Sequence, residues 1–345
     1  MKVTVLAHVE PGDPRDEVVD QVAGALGRRH QVDVLEVYDD VVGMVSRLRE
    51  LRPDLVFNLC EGWSDDVFAE PGVAALLELL KVPFTGSGSA EILLTQDKGI
   101  TKKLLSFAGV LSPRFAVFNS DADIEKGGTL RMPLFVKPLR GDASIGITSE
   151  DSVVHDSPSL MRRVIEIHER HSDAALAEEY IEGRELYVSV LGNRQPEALP
   201  PIELDLSGLP EGRPAVADRD VKFDAEMCAR YGIVSRVAEV SDELKARLQK
   251  AALDAYRALR VRDYGRVDLR LNRAGEIYVL EVNANAYLLK DEALAFAAES
   301  AGYDYPSLIE KILALAMERQ GIREPKVPKH RKRKRKPKAK PSALA

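Results

Sequence analysis

The sequence predicts an α/β protein: a parallel sheet with helices on its faces, followed by a larger α+β part built on antiparallel strands. Three observations carry this. Strand and helix patterns alternate through residues 3–59. From Arg114 onward the periodicity restarts as short strands, RFAVF and then PLFVKP around Lys137. Residues 264–283, YGRVDLRLNRAGEIYVLEVN, alternate on either side of a Gly-containing turn, the pattern of an antiparallel hairpin.

Val3 to His8 reads as the first strand, since its apolar run is too short for a signal peptide and acids follow at once. Asp13-Pro14 is the expected N-cap and first helical residue, with Asp16 and Glu17 in a first turn whose dipole favours acids. That helix runs to about Arg28; QVDVLEV is a second strand, Val41 to Leu51 a helix, and DLVFNL a third strand. A ligand is expected beyond the strands' carboxyl ends, at residues 8–16 and 58–66. VPFTGSGSA is a small-residue loop, and TQDKGITKKLLSFAG opens a helix whose Lys98, Lys102 and Lys103, taken alone, read as a solvated face.

LRGDASIGI, between two extended segments, can close over phosphates with its backbone N–H groups, but no helix follows it as in a P-loop. Leu160 to His171 is helical, and ALAEEYIEGREL ends one strand and starts another. Pro200 to Gly232, with Lys222 inside it, is long and polar, as lids and disordered loops are. Asp242 to Leu259 is an amphipathic helix ahead of the hairpin, and helices near 291–301 and 306–319 close the folded part.

The 345 residues allow two or three domains, and no apolar run approaches the length of a membrane span. Cys60 and Cys228 fit no C-x-x-C spacing, so a cytoplasmic setting without a zinc site is expected. The net charge of −6 is unevenly placed: residues 326–340 hold ten Lys or Arg, leaving residues 1–325 with 39 basic against 55 acidic residues. Such a tail is expected to be disordered; it suits an anionic partner such as RNA, a membrane or an acidic protein, and equally a merely solvated tail.

Period two sets Arg266 and Asp268 on one face of the first hairpin strand, and Glu281 and Asn283 on one face of the second. A four-residue loop would pair Leu271 with Glu276 and set Arg266 opposite Glu281. Two carboxylates and an amide suit Mg2+, which keeps waters and shares phosphate ligands; an adjacent arginine can stabilise an oxyanion. On composition alone the same residues read equally well as ordinary solvent-facing charges.

FNLCEG, PFTGSGSA, QDKGITKKLL, PLFVKPLRGDASIGI, EEYIEGRELYVSVLGN, RVDLRLNRAGEIYVLEVN and AGYDYPSLI occur in this order. Together they make the chain resemble the ATP-grasp superfamily, in its D-alanine:D-alanine ligase-like branch, over nearly all of residues 1–320. The resemblance implies an N-terminal α/β substrate domain (1–96), a central ATP-grasp lobe (97–184), a C-terminal lobe with the metal site (185–322) and a disordered basic tail (323–345). It implies that Lys98, Lys137 and the lid's Lys222 hold ATP phosphates beside Ser144 of the glycine loop. Glu178 would accept from adenine, with Tyr180 and Ile181 in the adenine linker, and Glu185 would accept from the ribose. Asp268, Glu281 and Asn283 would bind Mg2+ (or Mn2+), Arg266 would steady the tetrahedral intermediate, and Glu17 would recognise an ammonium group. The implied chemistry is ligation of a carboxylate to an amine through an acylphosphate, and because the resembled ligases are commonly dimers, a homodimer is an option.

The substrate half departs from that family. Ala143 stands at the first of two adjacent serines, and Phe223 replaces the tyrosine that bonds it. Ala286 and Tyr287 occupy the Pro-Gly positions of the oxyanion turn, and Glu292 replaces a serine that binds the amine substrate's carboxylate. An acid there attracts a cation and repels a carboxylate, so an altered amine substrate is expected in preference to true D-alanine:D-alanine ligation. A decayed ATP-binding scaffold and an ATP-grasp kinase are the alternatives.

Overall fold

The computed structural model describes residues 1–66, 68–119, 129–140, 146–148, 151–218, 220–221 and 224–323. The N-terminal sheet has β1 (Lys2–His8) between β2 (Gln31–Val37) and β3 (Leu55–Asn58), all parallel. The helix α1 (Glu17–Leu26) turns Val18, Val19, Val22, Ala25 and Leu26 inward. Its cap is Asp16, whose Oδ1 accepts from Val18 N at 2.9 Å, and not Asp13. Asp13 instead closes a turn onto the Glu10 carbonyl at 3.1 Å, which leaves Pro14 outside the helix. After α2 (Val41–Leu51) and β3 come two helices that the sequence reading did not anticipate, α3 (Glu70–Leu80) and α4 (Ser89–Gln96).

The next helix, α5 (Lys98–Phe107), leads into a four-stranded sheet ordered β4-β7-β5-β6, from β4 (Phe115–Phe118), β5 (Leu134–Pro138), β6 (Val153–Val154) and β7 (Ala175–Glu179). Helix α6 (Ser157–His171) packs Leu160, Val164 and Ile167 beneath it. The third sheet runs β11-β10-β8-β12-β13, with β9 (Glu197–Ala198) on the side of β8. Its strands are β8 (Gly183–Leu191), β10 (Ile202–Asp205), β11 (Val234–Val237), β12 (Tyr264–Asn272) and β13 (Ile277–Asn283).

Helices α7 (Ala225–Tyr231), α8 (Asp242–Ala258), α9 (Ala293–Ser300) and α10 (Tyr305–Gln320) complete the described fold. The 200–232 stretch is therefore not one long loop, for β10 and α7 lie within it. No helix among the described residues is long and apolar enough to cross a membrane. One apolar core joins the two ends of the chain: Val3, Val5 and Phe57 of the first sheet cluster with Leu308, Ile309, Ile312 and Leu313 of α10.

The β12–β13 hairpin differs from the expected register. Gly275 N donates to the Asn272 carbonyl at 3.0 Å and Asn272 N to the Glu276 carbonyl at 3.0 Å. With Gly275 at φ +79°, the connection is a turn followed by a left-handed glycine. Leu271 accordingly pairs with Ile277, and a bulge between Asp268 and Leu269 adds a further step. Asp268 faces Glu281 and Arg266 faces Asn283, which corrects the expected Arg266–Glu281 pair.

Candidate active site

Where the second and third sheets meet, a cleft is lined by Lys98, Phe135, Lys137, Glu178, Tyr180, Ile181, Glu185, Asp268, Arg270, Leu280 and Glu281, among others. All six described residues assigned to the nucleotide stand in this one wall. The floor follows from alternation along β12 and β13. Val267, Leu269, Val279 and Val282 bury their side chains against α8, and the residues between them face the cleft. At the bulge the alternation slips, and Leu280 and Glu281, consecutive in sequence, both line the cleft.

The cleft's charges are compensated in pairs. Glu178 bridges two lysines, Lys102 through Oε1 and Lys137 through Oε2 at 3.1 Å. Burial on its own would raise the Glu178 carboxyl, but the two ammonium groups outweigh it and hold the group below the usual carboxylate range. Lys102, read from sequence as part of a solvated face, is fully buried. It lies one helical turn from Lys98 on the same face of α5, which the structure turns inward. Glu185 is held from both sides, accepting from Tyr187 Oη at 2.9 Å and from Arg270 Nη2 at 2.7 Å. Arg270 also donates to the Ala215 carbonyl at 2.8 Å and so ties the described part of the 200–218 segment to the cleft.

The candidate metal ligands lie on the same hairpin. Asp268 is buried and Arg266 grips it with two bonds, Nε to Oδ1 at 2.7 Å and Nη2 to Oδ2 at 2.9 Å. The guanidinium also lies 5.0 Å from the Tyr187 ring centroid. Glu281 Oε2 is 3.9 Å from Lys137 Nζ. Among the described residues no three His, Cys, Asp or Glu side chains assemble as a metal cage. Two carboxylates beside an amide fit a hard cation that keeps water and phosphate ligands, and do not fit a fully protein-ligated one. Asn283 would contribute its carboxamide oxygen, while its buried Nδ2 has no hydrogen-bond partner among the described residues.

Beyond the hairpin opens a cavity of about 950 Å3, reaching from Arg266, Glu281 and Asn283 to the carboxyl ends of β1 and β3. Both expected ligand segments contribute: His8, Glu10 and Asp16 from one, Glu61, Gly62, Ser64 and Asp65 from the other. Glu70, Asp291 and Glu292 add further acids. Tyr287 lines it and donates its hydroxyl to both oxygens of Asp16 at 2.8 Å. Burial, with this bond, pushes the phenol well above its ordinary range.

Arg266, Asn283, Tyr287 and Glu292 line this cavity, and Lys98 and Glu281 are shared between it and the cleft. Glu17 does neither. Its exposed carboxylate accepts from Gln21 Nε2 at 2.8 Å on its own helix, and the acid facing the cavity is its neighbour Asp16. Asp16 stands before the helix as its cap, with non-helical backbone, whereas Glu17 is the first helical residue. Ala143, Ser144, Lys222, Phe223 and the basic tail lie outside the described residues. Sequence reasoning missed Lys102, Tyr187 and Arg270; a signal for the last two was their position on the strand face that carries Glu185 and Asp268.

Residues 94–314 match the family described as D-ala D-ala ligase C-terminus, which is more than half of the chain. The chain belongs to this family. Its members named as D-alanine–D-alanine ligases are ATP-dependent, ADP-forming enzymes that make a C–N bond. Among similar proteins, the uncharacterised protein y4sG of Sinorhizobium fredii is 34% identical, over 89% of both chains. The D-alanine–D-alanine ligase of Pelotomaculum thermopropionicum is 31% identical, over 81% of this chain and 85% of its own. The D-alanine–D-alanine ligase of Bacillus anthracis complexed with ATP superposes with a TM-score of 0.73 at 22% identity, covering 93% of this chain and 99% of that one. The VanG D-Ala:D-Ser ligase of Enterococcus faecalis gives 0.69 at 21% identity, covering 91% and 99%. These two structures establish the ATP-grasp arrangement of a parallel N-terminal sheet followed by two antiparallel ones.

Proposed function

We propose that the chain is an ATP-dependent carboxylate–amine ligase that works through an acylphosphate and takes an amine other than a simple D-amino acid. The observation that carries this is the junction of two spaces at one hairpin: a cleft that holds Lys98 and Lys137 beside Asp268 and Glu281, and a cavity lined by Glu10, Asp16, Glu61, Asp65, Glu70, Asp291 and Glu292. ATP fits the first, with its phosphates near the lysines, its adenine against Phe135, Ile181 and Leu280, and its ribose at Glu185. Asp268, Glu281 and Asn283 would hold Mg2+, which when bound supplies charge neutralisation at the phosphates.

In this reading the substrate carboxylate oxygen attacks the γ-phosphorus and the bond to ADP breaks. The amine nitrogen then attacks the acyl carbon, loses a proton, and inorganic phosphate leaves. Arg266 stands at the junction to offset charge on the acyl oxygens. The chain's part is mainly to orient the groups and neutralise their charge.

Glu292 supports the change of amine. It is the N-cap of α9, where a helix would otherwise favour an anionic ligand, and its own carboxylate already stands at that end. A second substrate with a free carboxylate would meet this charge and that of Asp291, whereas a substrate with an added cation would be favoured. The volume of about 950 Å3 also leaves room for substrates larger than two alanines.

The test is release of ADP and phosphate from Mg-ATP across a grid of carboxylates and amines, with Asp268→Asn as the blank. Turnover that needs one acid and one amine together supports the ligase; release with an acceptor and no amine identifies a kinase. ATP binding without turnover of any pair would leave a nucleotide-binding protein and sink the proposal. Glu292→Ser is expected to shift preference toward amines bearing a carboxylate by about tenfold, the effect of removing one like-charge contact of about 1.4 kcal/mol. Unchanged preference would refute the substrate reading alone.

A further inference from the structure

Lys102 on α5 is 0% exposed, and a lysine so far from water needs its charge answered within the fold. It is answered twice. The ammonium pairs with Glu178 Oε1, and it donates to the Leu280 carbonyl at 3.0 Å, the carbonyl directly before Glu281. Lys137 takes the other Glu178 oxygen at 3.1 Å. Glu178 is thus divided between two lysines, of which Lys137 lines the nucleotide cleft, with Glu281 Oε2 3.9 Å from it on the other side.

We infer that Lys102 is a positioning residue for the nucleotide site. By answering the charge of Glu178 it leaves the charge of Lys137 available to phosphate, and by holding the Leu280 carbonyl it fixes the bulge that presents Glu281. Without Lys102, Glu178 would close on Lys137 as a neutral pair, and the cleft's attraction for an anion would fall to what Lys98 supplies, even though every residue lining it remained. The direction of the proton affinities agrees with this division. Burial dominates at Lys102 and lowers its pKa, whereas at Lys137 burial is outweighed by Glu178 and Glu281, so that this pKa is raised. The inference rests on reading the cleft as an ATP site.

The experiment is calorimetric titration of the full chain with ATP and, separately, with adenosine, for three proteins: the unaltered chain, Lys102→Met, and Lys102→Met combined with Glu178→Gln. In the single variant ATP is expected to bind about 10- to 100-fold more weakly, the worth of one hydrogen bond to a charged group, while adenosine changes by less than about threefold. The double variant frees Lys137 from Glu178 while the glutamine keeps an oxygen that can accept from adenine; with adenosine as the reference for any effect on the base, its ratio of ATP to adenosine affinity is expected to return to within about threefold of that of the unaltered chain. A purely structural lysine would weaken ATP and adenosine alike in the single variant, so the separation of the two ligands is the deciding readout.

Unchanged ATP affinity in the single variant overturns the inference, as does equal loss of ATP and adenosine that the double variant fails to repair. Removing one member of a buried pair can prevent folding, whereas removing both charges is often tolerated. Should the single variant not fold, the double variant decides: ATP affinity near that of the unaltered chain supports the inference, and loss of ATP with adenosine retained overturns it. Failure of the unaltered chain to bind ATP would strike the proposed function itself, which separates the two failures.

Discussion

At the scale of single residues, the site is governed by which charges are already answered by the fold. Asp268, Glu178 and Glu185 each have a cationic partner, Arg266, Lys102 with Lys137, and Arg270 respectively. A ligand entering the cleft therefore exchanges partners and does not meet bare buried charge, whose desolvation would be prohibitive. Sequence made the acids legible through strand alternation, but not their partners, because Lys102 joins Glu178 only when α5 is laid against the second sheet. Surface caps show the same logic in milder form. The Asp304 carboxylate, the cap of α10, is held below its usual range first by the Ser307 side chain and then by the Ser307 backbone N–H. Its folded pKa lies below its unfolded one, so its contribution is present above about pH 4 and is lost as the pH falls through the folded value. Asp304→Asn is expected to lower the melting temperature slightly at pH 7, where that contribution is present, and to flatten its fall between about pH 4 and pH 2, read by thermal melts across that range.

At the scale of elements, the hairpin shows what a sequence pattern decides and what it leaves open. Alternation identified both strands and the face that carries Arg266, Asp268, Glu281 and Asn283. Register was beyond it, because it turned on the left-handed Gly275 and on one extra residue in β13, neither of which changes the apolar pattern enough to be read. Helix α3 was missed for another reason. Pro71 and Gly72 resemble breakers, but a proline in the first turn is compatible with a helix and Val73, Ala74 and Leu77 then fill the core. The turn offers a clean check. A Cβ at Gly275 would meet nothing within 4 Å, so Gly275→Ala carries only the cost of positive φ. It should lower stability by about 1 kcal/mol in denaturant titration while leaving ATP affinity unaltered; a loss of affinity would mean that the turn, and not the β8–β12 pairing, holds the register.

At the scale of the whole molecule, the N-terminal sheet and the last helix are joined by a buried acid as well as by apolar packing. Asp263 is 0% exposed and accepts from Arg319 Nη2 at 2.7 Å, from Gly86 N at 2.9 Å and from Asn193 Nδ2 at 3.0 Å. Residues from three distant parts of the chain converge on one carboxylate, which lies at φ +63° directly before β12. Asp263→Ala is expected to lower stability by about 3–5 kcal/mol, the cost of stranding a buried partner. Asp263→Asn, which tolerates the left-handed backbone, should recover part of that loss. Equal losses in the two variants, measured by equilibrium unfolding, would assign the whole effect to charge.

The bulge in β13 has a consequence for how such a protein can change over generations. In a regular strand, adjacent residues face opposite sides, so a side chain touching the base and one serving the metal would have to stand two positions apart, with a core residue between them. Here Leu280 and Glu281 share the cleft side by side, and Val279 and Val282 anchor the strand on either flank. In the proposed reading, the wall against the base can then vary in size at position 280 while the carboxylate at 281 stays where it is. If the cleft takes a nucleotide and a metal as proposed, one inserted residue makes the choice of the one and the retention of the other separately heritable.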